Sequence, residues 1–172
     1  MVGVQAPAMS ILPRLALTIL FALTPAAASA QMLVGQAEVV DGDTLEVGGE
    51  RIRLFGVDAP ESQQGCTRGG GNWACGREAT QQLGSLIAGR SVRCEARDID
   101  AYGRTVAVCR VGSLDLGQAM VQTGHAVAFR RYSTDYVGDE EQARVARRGL
   151  WASTFTMPSE WRAERGGWGG GG

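Results

Sequence analysis

Cys94 and Cys109 stand at matched distances from a turn, and that symmetry restricts the fold more than any other feature of the chain. Residues 91–96 (SVRCEA) and 105–110 (TVAVCR) alternate like strands, with Asp100-Ala101-Tyr102-Gly103 between them. If Asp100 pairs with Gly103 in an antiparallel hairpin, Cys94 falls opposite Cys109, and the two sulfurs face each other across the ladder. Cys66 then pairs with Cys75 by elimination, closing a loop over 67–74. Zinc is the rival use of four cysteines. It fails because no C-x-x-C spacing occurs and the chain has one histidine. Two disulfides are expected, and with them an oxidising compartment.

Three further strands are expected at 37–40, 44–47 and 51–57, with turns at Asp41-Gly42 and Gly48-Gly49. A helix over 78–87 follows, with Leu83, Leu86 and Ile87 at helical spacing and Gly89 as its stop. A second, over 114–123, places Leu116, Ala119 and Met120 on one face and halts at Gly124. A third, over 139–148, starts acidic and ends rich in arginine, as the helix dipole favours, and Gly149 closes it. Five short strands with a helix inserted after the third describe a β-rich α+β domain. The expected fold is a five-stranded OB-fold barrel with about three packed helices.

The ends read differently. Arg14, the apolar run 15–24 and Ala28-Ser29-Ala30 follow the order of a secretory signal peptide over 1–30. The run is too short to span a bilayer. The expected mature chain starts at Gln31, is secreted or periplasmic, and has no membrane contact once the signal is removed. The folded domain is expected over 31–161. Residues 162–172 form a glycine-rich tail without an apolar pattern, expected to be disordered.

Charge and residue inventory narrow the chemistry. All 17 basic residues are arginine, against 18 acids; removing 1–30 takes Arg14 and no acid, which leaves 16 against 18. Bulk positive charge therefore cannot hold a polyanion, and any such contact must be local or bridged by a cation. A single histidine excludes hydrolysis by a histidine pair. A serine triad would need His125, which follows Gly124 at a helix end, where capping or packing is the commoner role. Carboxylates, which hold hard cations and accept protons, and arginines, which grip phosphate, are what remains.

Two strands end in such acids. In "VVDGDT" (39–44), Asp41-Gly42 is by itself a hairpin signal. An EF-hand is excluded, since Leu45 occupies the third ligand position and the required glycine is missing. "IRLFGVDAPE" (52–61) is more demanding. Arg53 alternates with Ile52 and Leu54, while Asp58 and Glu61 flank the strand's exit. One structural ion pair needs fewer acids than this, and the surplus favours a cation and a phosphate.

Together with "DAYGRTVA" (100–107), these motifs, in this order, resemble the thermonuclease, or staphylococcal-nuclease-like, family over about 37–151. The resemblance implies the five-stranded barrel and a calcium-dependent phosphodiesterase acting on DNA and RNA. It implies Ca2+ bound by Asp43, Asp58 and the backbone carbonyl of Ala59, a position where the family often has threonine. Arg53 and Arg104 match the arginines that hold the scissile phosphate, and Glu61 the acid that activates water. Tyr102 matches a substrate-contacting tyrosine, with Phe129 and Tyr132 as further stacking surfaces. Products ending in 3′-phosphate, a preference for single strands and a monomer are expected. The alternative is a catalytically inactive OB-fold module that binds oligonucleotides or a protein partner. It is disfavoured because both arginines and all three acids are present.

Overall fold

Alternating residues build a meander early in the chain. In the computed structural model, which describes residues 1–3 and 31–165, β1 (Met32–Gly35), β2 (Ala37–Val39), β3 (Thr44–Val47) and β4 (Glu50–Leu54) follow in quick succession. Leu45 sits opposite Val39 on one side and Ile52 on the other, which puts the apolar face of all three strands on the core. The strand expected over 51–57 is broken: Gly56, at φ +71°, turns the chain and separates β5 (Val57–Asp58).

A hairpin of β6 (Cys66–Arg68) and β7 (Gly71–Trp73) leads into α1 (Cys75–Ile87). Ala79, Leu83 and Ile87, one turn apart, form the buried face of that helix. It begins three residues before the expected start. Ala74 offers no side-chain cap, and the Gly76 amide instead donates to the Gln64 carbonyl at 3.1 Å.

β8 (Val92–Ile99) and β9 (Thr105–Val111) form the expected hairpin, and Cys94 lies opposite Cys109, joined by a disulfide. The turn differs from expectation. Ile99, not Asp100, is the last paired residue, facing Thr105, and a bulge at Arg97 restores the register before the cysteines. The second disulfide joins Cys66 to Cys75, as expected.

β10 (Leu114–Asp115) runs into α2 (Leu116–Gln122), where Asp115 caps the helix by accepting from the Gln118 amide at 3.1 Å. β11 (Val127–Ala128) pairs with β5, setting Val127 beside Asp58. After α3 (Val137–Val145) and a 3-10 turn (Gly149–Ala152) comes a helix that the sequence reading did not anticipate, α4 (Pro158–Glu164). The boundary drawn at 161 therefore falls inside a helix. The expected signal segment, apart from residues 1–3, and the glycine run beyond 165 lie outside the described residues.

In the main sheet the strand order is β1-β8-β9-β4-β3-β2, with β10 also on β9. Only the β4–β9 contact is parallel. The five expected strands are thus contiguous, and β1 extends them at the β8 edge. Sheet and four α-helices make an OB-like α+β fold. Leu45, Ile52, Leu54, Leu83, Leu116 and Met120 anchor its core. A second apolar cluster joins both cysteines of the Cys66–Cys75 bridge to Val127 and Leu150, with Trp151, Phe155 and Met157 packed against it. No described helix is long and apolar enough to cross a membrane.

Candidate active site at the strand ends

Register places the first two site residues. Thr44 faces Arg53 across β3–β4, so Asp43, one residue before β3, reaches the Arg53 side chain. Arg53 Nη1 donates to Asp43 Oδ1 at 2.7 Å, and its Nη2 donates to Asp58 Oδ1 at 3.0 Å and to the Val57 carbonyl at 3.2 Å. One guanidinium thus joins two aspartates that lie 15 residues apart in sequence. All three are buried: Arg53 is 8 % exposed, Asp43 4 % and Asp58 1 %. Removing one partner of such a pair typically costs about 3–5 kcal/mol, because the other charge is left stranded.

Small residues allow the approach. A Cβ at Gly42 would meet those of Ala59 and Ala79 at 2.7 and 2.8 Å, so the Asp41–Asp43 turn lies directly on the segment after β5. There the Ala59 amide donates to Asp43 Oδ2 at 2.9 Å, and the Thr44 hydroxyl donates to Asp43 Oδ1 at 3.1 Å. Thr44 thus supports Asp43.

Two members of the cluster were not anticipated. Asp41, whose sequence context signals only a turn, accepts from the Asp43 amide at 3.0 Å. Burial and the neighbouring Asp43 charge push its carboxyl up to about 6. Arg162, assigned to the tail, enters from α4: its Nη2 donates to both oxygens of Asp58 at 2.9 and 3.1 Å, and its Nη1 to Glu61 Oε1 at 2.9 Å. Pro158 at the first helical position was the available signal for α4. Nothing local, however, points Arg162 at partners more than 100 residues away.

The electrostatic balance stays negative. Burial raises the Asp58 pKa, Asp43 raises it further, and Arg162 and Arg53 offset this only in part. Burial opposes the charge of Arg53, but Asp43 and Asp58 more than compensate and hold its pKa above the ordinary value. By count, four carboxylates, Asp41, Asp43, Asp58 and Glu61, share the two guanidiniums of Arg53 and Arg162. That surplus of hard oxygen donors fits a divalent cation, although among the described residues no three such side chains are already gathered into a cage.

Arg104 and Tyr102 stand at the tip of the β8–β9 hairpin. Arg104 Nε donates to Asp100 Oδ2 at 2.7 Å, and its guanidinium lies 5.6 Å from the Tyr102 ring centre. Burial would raise the Asp100 carboxyl, but hydrogen bonds from Arg104 and the Tyr102 amide bring it below its usual value. A cavity of about 150 Å3 lies between Arg53 and the base of this hairpin tip, with Asp100, Ala101, Phe129 and Tyr132 among its walls; of the described residues that line it, none is Tyr102, Arg104, Asp43, Asp58 or Glu61. Phe129 and Tyr132 pack edge to face there, 4.9 Å between ring centres, and Arg53 lies 5.7 Å from the Phe129 ring. His125 Nδ1 lies 3.1 Å from the Thr123 hydroxyl, and burial lowers its pKa.

Residues 51–153 match the family described as Staphylococcal nuclease homologue. The chain is 37% identical over 136 residues to "Succinoglycan biosynthesis protein ExoI" of Rhizobium meliloti (strain 1021), covering 75% of this chain and 70% of that protein. It is 35% identical over 127 residues to an "Uncharacterized endonuclease" of Escherichia coli O157:H7, covering 70% and 77%. It is also 35% identical over 118 residues to "Probable staphylococcal-like nuclease CAN3" of Oryza sativa subsp. japonica. That match covers 67% of this chain but 29% of the rice protein.

Proposed function

This chain belongs to the staphylococcal nuclease homologue family, and on that premise we propose that it is a calcium-dependent nuclease that hydrolyses phosphodiester bonds of DNA and RNA. The observation that carries this reading is the buried Asp43–Arg53–Asp58 triad, whose surplus negative charge sits beside a cavity walled by Arg53 and two aromatic rings. The curled sheet is read as the five-stranded barrel of the fold.

Asp43, Asp58 and the Ala59 carbonyl would hold Ca2+, whose charge offsets that of the phosphate and lowers the cost of attack by water. Glu61, a third exposed in its side chain, accepts the proton of that water. As phosphorus becomes five-coordinate, negative charge grows on its equatorial oxygens. Arg53 and Arg104 meet that charge; removing one such donor typically slows catalysis by about 10²–10³. Tyr102, Phe129 and Tyr132 offer faces on which bases stack without strong sequence preference. Single strands are preferred because their backbone bends into the cavity. The bond from phosphorus to the 5′-oxygen breaks, that oxygen takes a proton from solvent water to become a 5′-hydroxyl, and the other product carries a 3′-phosphate. The two disulfides support a secreted or periplasmic location. The protein is read as a monomer with a signal peptide over 1–30 and a folded domain from 31 that includes α4.

The test is incubation of purified protein with single-stranded DNA or RNA in calcium, then with a chelator in excess. Cleavage that stops on chelation, with 3′-phosphate ends, is the expected result; cleavage indifferent to calcium refutes the cation's role.

A further inference from the structure

We infer that Arg162 is a positioning residue of the catalytic centre, holding the Glu61 carboxylate in the orientation from which it takes the proton of water; this rests on the nuclease reading above. Its planar fork spans two acids with different needs. Asp58 already has a guanidinium partner in Arg53. Glu61 is the most exposed acid that Arg162 touches, 34 % exposed in its side chain, and it lies past Pro60 in the loop that follows β5. Its backbone is fixed: the Gln64 amide nitrogen donates to the Glu61 carbonyl at 2.7 Å, and the Glu61 amide donates to Gln64 Oε1 at 3.3 Å. The carboxylate has its own anchor in Arg162 Nη1. A half-exposed glutamate without such an anchor samples several rotamers, and a reacting group about 1 Å out of place can cost about 10²-fold in rate.

The rest of the molecule keeps the anchor itself in place. Gln64, 1 % exposed, uses its other amide atom to reach the strap before α4, donating from Nε2 to the Thr156 carbonyl at 2.8 Å. Thr67 and Thr154 exchange two backbone hydrogen bonds of 2.9 and 2.8 Å, fastening the same strap to the disulfide-closed β6–β7 hairpin. Phe155 packs edge to face on Trp151, 5.3 Å between ring centres. Glu61 and Arg162 are therefore referenced to one frame from both ends.

The experiment is a double-mutant cycle on kcat for single-stranded DNA in saturating calcium, with KM and melting temperature measured on every variant. Arg162→Lys keeps the charge but loses the two-armed grip. It is expected to lower kcat about 10- to 100-fold with KM within about threefold. In a Glu61→Gln background the same change should cost less than about threefold, because the group it positions is already disabled. Arg162→Gln is carried in parallel, and the result is taken from whichever variant melts as the unaltered protein does. An unchanged kcat, or equal losses in both backgrounds, overturns the inference while leaving the nuclease reading intact. So does early melting of both variants, which would make the contact one the fold requires. Absence of cleavage by the unaltered protein overturns the nuclease reading, and this inference with it.

Discussion

Gly76 has no room for a side chain. A Cβ there would lie 1.7 Å from the Glu61 carbonyl oxygen and 3.1 Å from the Ser62 carbonyl carbon, so α1 is packed through this residue directly against the loop that carries Glu61. Gly76→Ala is expected to destabilise the fold by about 1–3 kcal/mol and, because the loop must move, to lower kcat at least tenfold. Urea melts together with steady-state rates check both. His125 supplies a pH test. Burial lowers its pKa below 6.5, so the folded state binds fewer protons than the unfolded chain as pH falls through that value. Its contribution is therefore intact above about pH 6.5 and lost below it. His125→Gln should flatten the loss of melting temperature between about pH 6.5 and 5. At this scale the sequence exposed what lies in register: alternation sets Arg53 off the apolar face of β4, and motif order marks Asp43, Asp58 and Glu61. It could not expose Asp41, whose role follows from a turn folding onto Ala59, or Arg162, whose partners are distant in the chain.

Among the elements, α3 contributes more than its surface position suggests. Glu140 is fully buried, accepts from the Ala128 amide at 3.0 Å and pairs with Arg130, with Arg144 at 3.7 Å. It thereby fixes β11, whose Val127 is the ladder partner of Asp58. Glu140→Ala should cost about 3 kcal/mol by denaturant melting, with the Ala128 amide left unpaired. Activity should fall further than stability accounts for, because β5 loses its neighbour. Strands and helices with strong periodicity were legible, and their ends were less so. α1 is extended by a carbonyl from Gln64 rather than by a local cap, and the β8–β9 bulge at Arg97 keeps the cysteines opposed although the turn is longer than its sequence suggests. α4, at seven residues, is too short for periodicity to reveal.

Over the whole molecule, the Cys66–Cys75 hairpin is a docking platform. It carries the strap that leads to α4 and contributes both cysteines to the second apolar cluster. Cys66→Ser with Cys75→Ser is expected to lower stability by about 2–3 kcal/mol, the order set by closing a short loop. Arg162 should also loosen, so that kcat falls at temperatures where the protein is still folded; melting curves and rates on the same samples separate the two effects. Because the chain is acidic overall, the proposed function requires substrate capture by the local arrangement of two carboxylates, a guanidinium and the proposed cation. The most direct measurement compares cleavage of single-stranded DNA by the unaltered protein and by Arg53→Lys in matched calcium, with melting curves for both. The expected result is calcium-dependent cleavage by the former and at least a 100-fold slower rate in the latter, with its fold retained. Equal rates would contradict the assignment of Arg53, and with it the mechanism.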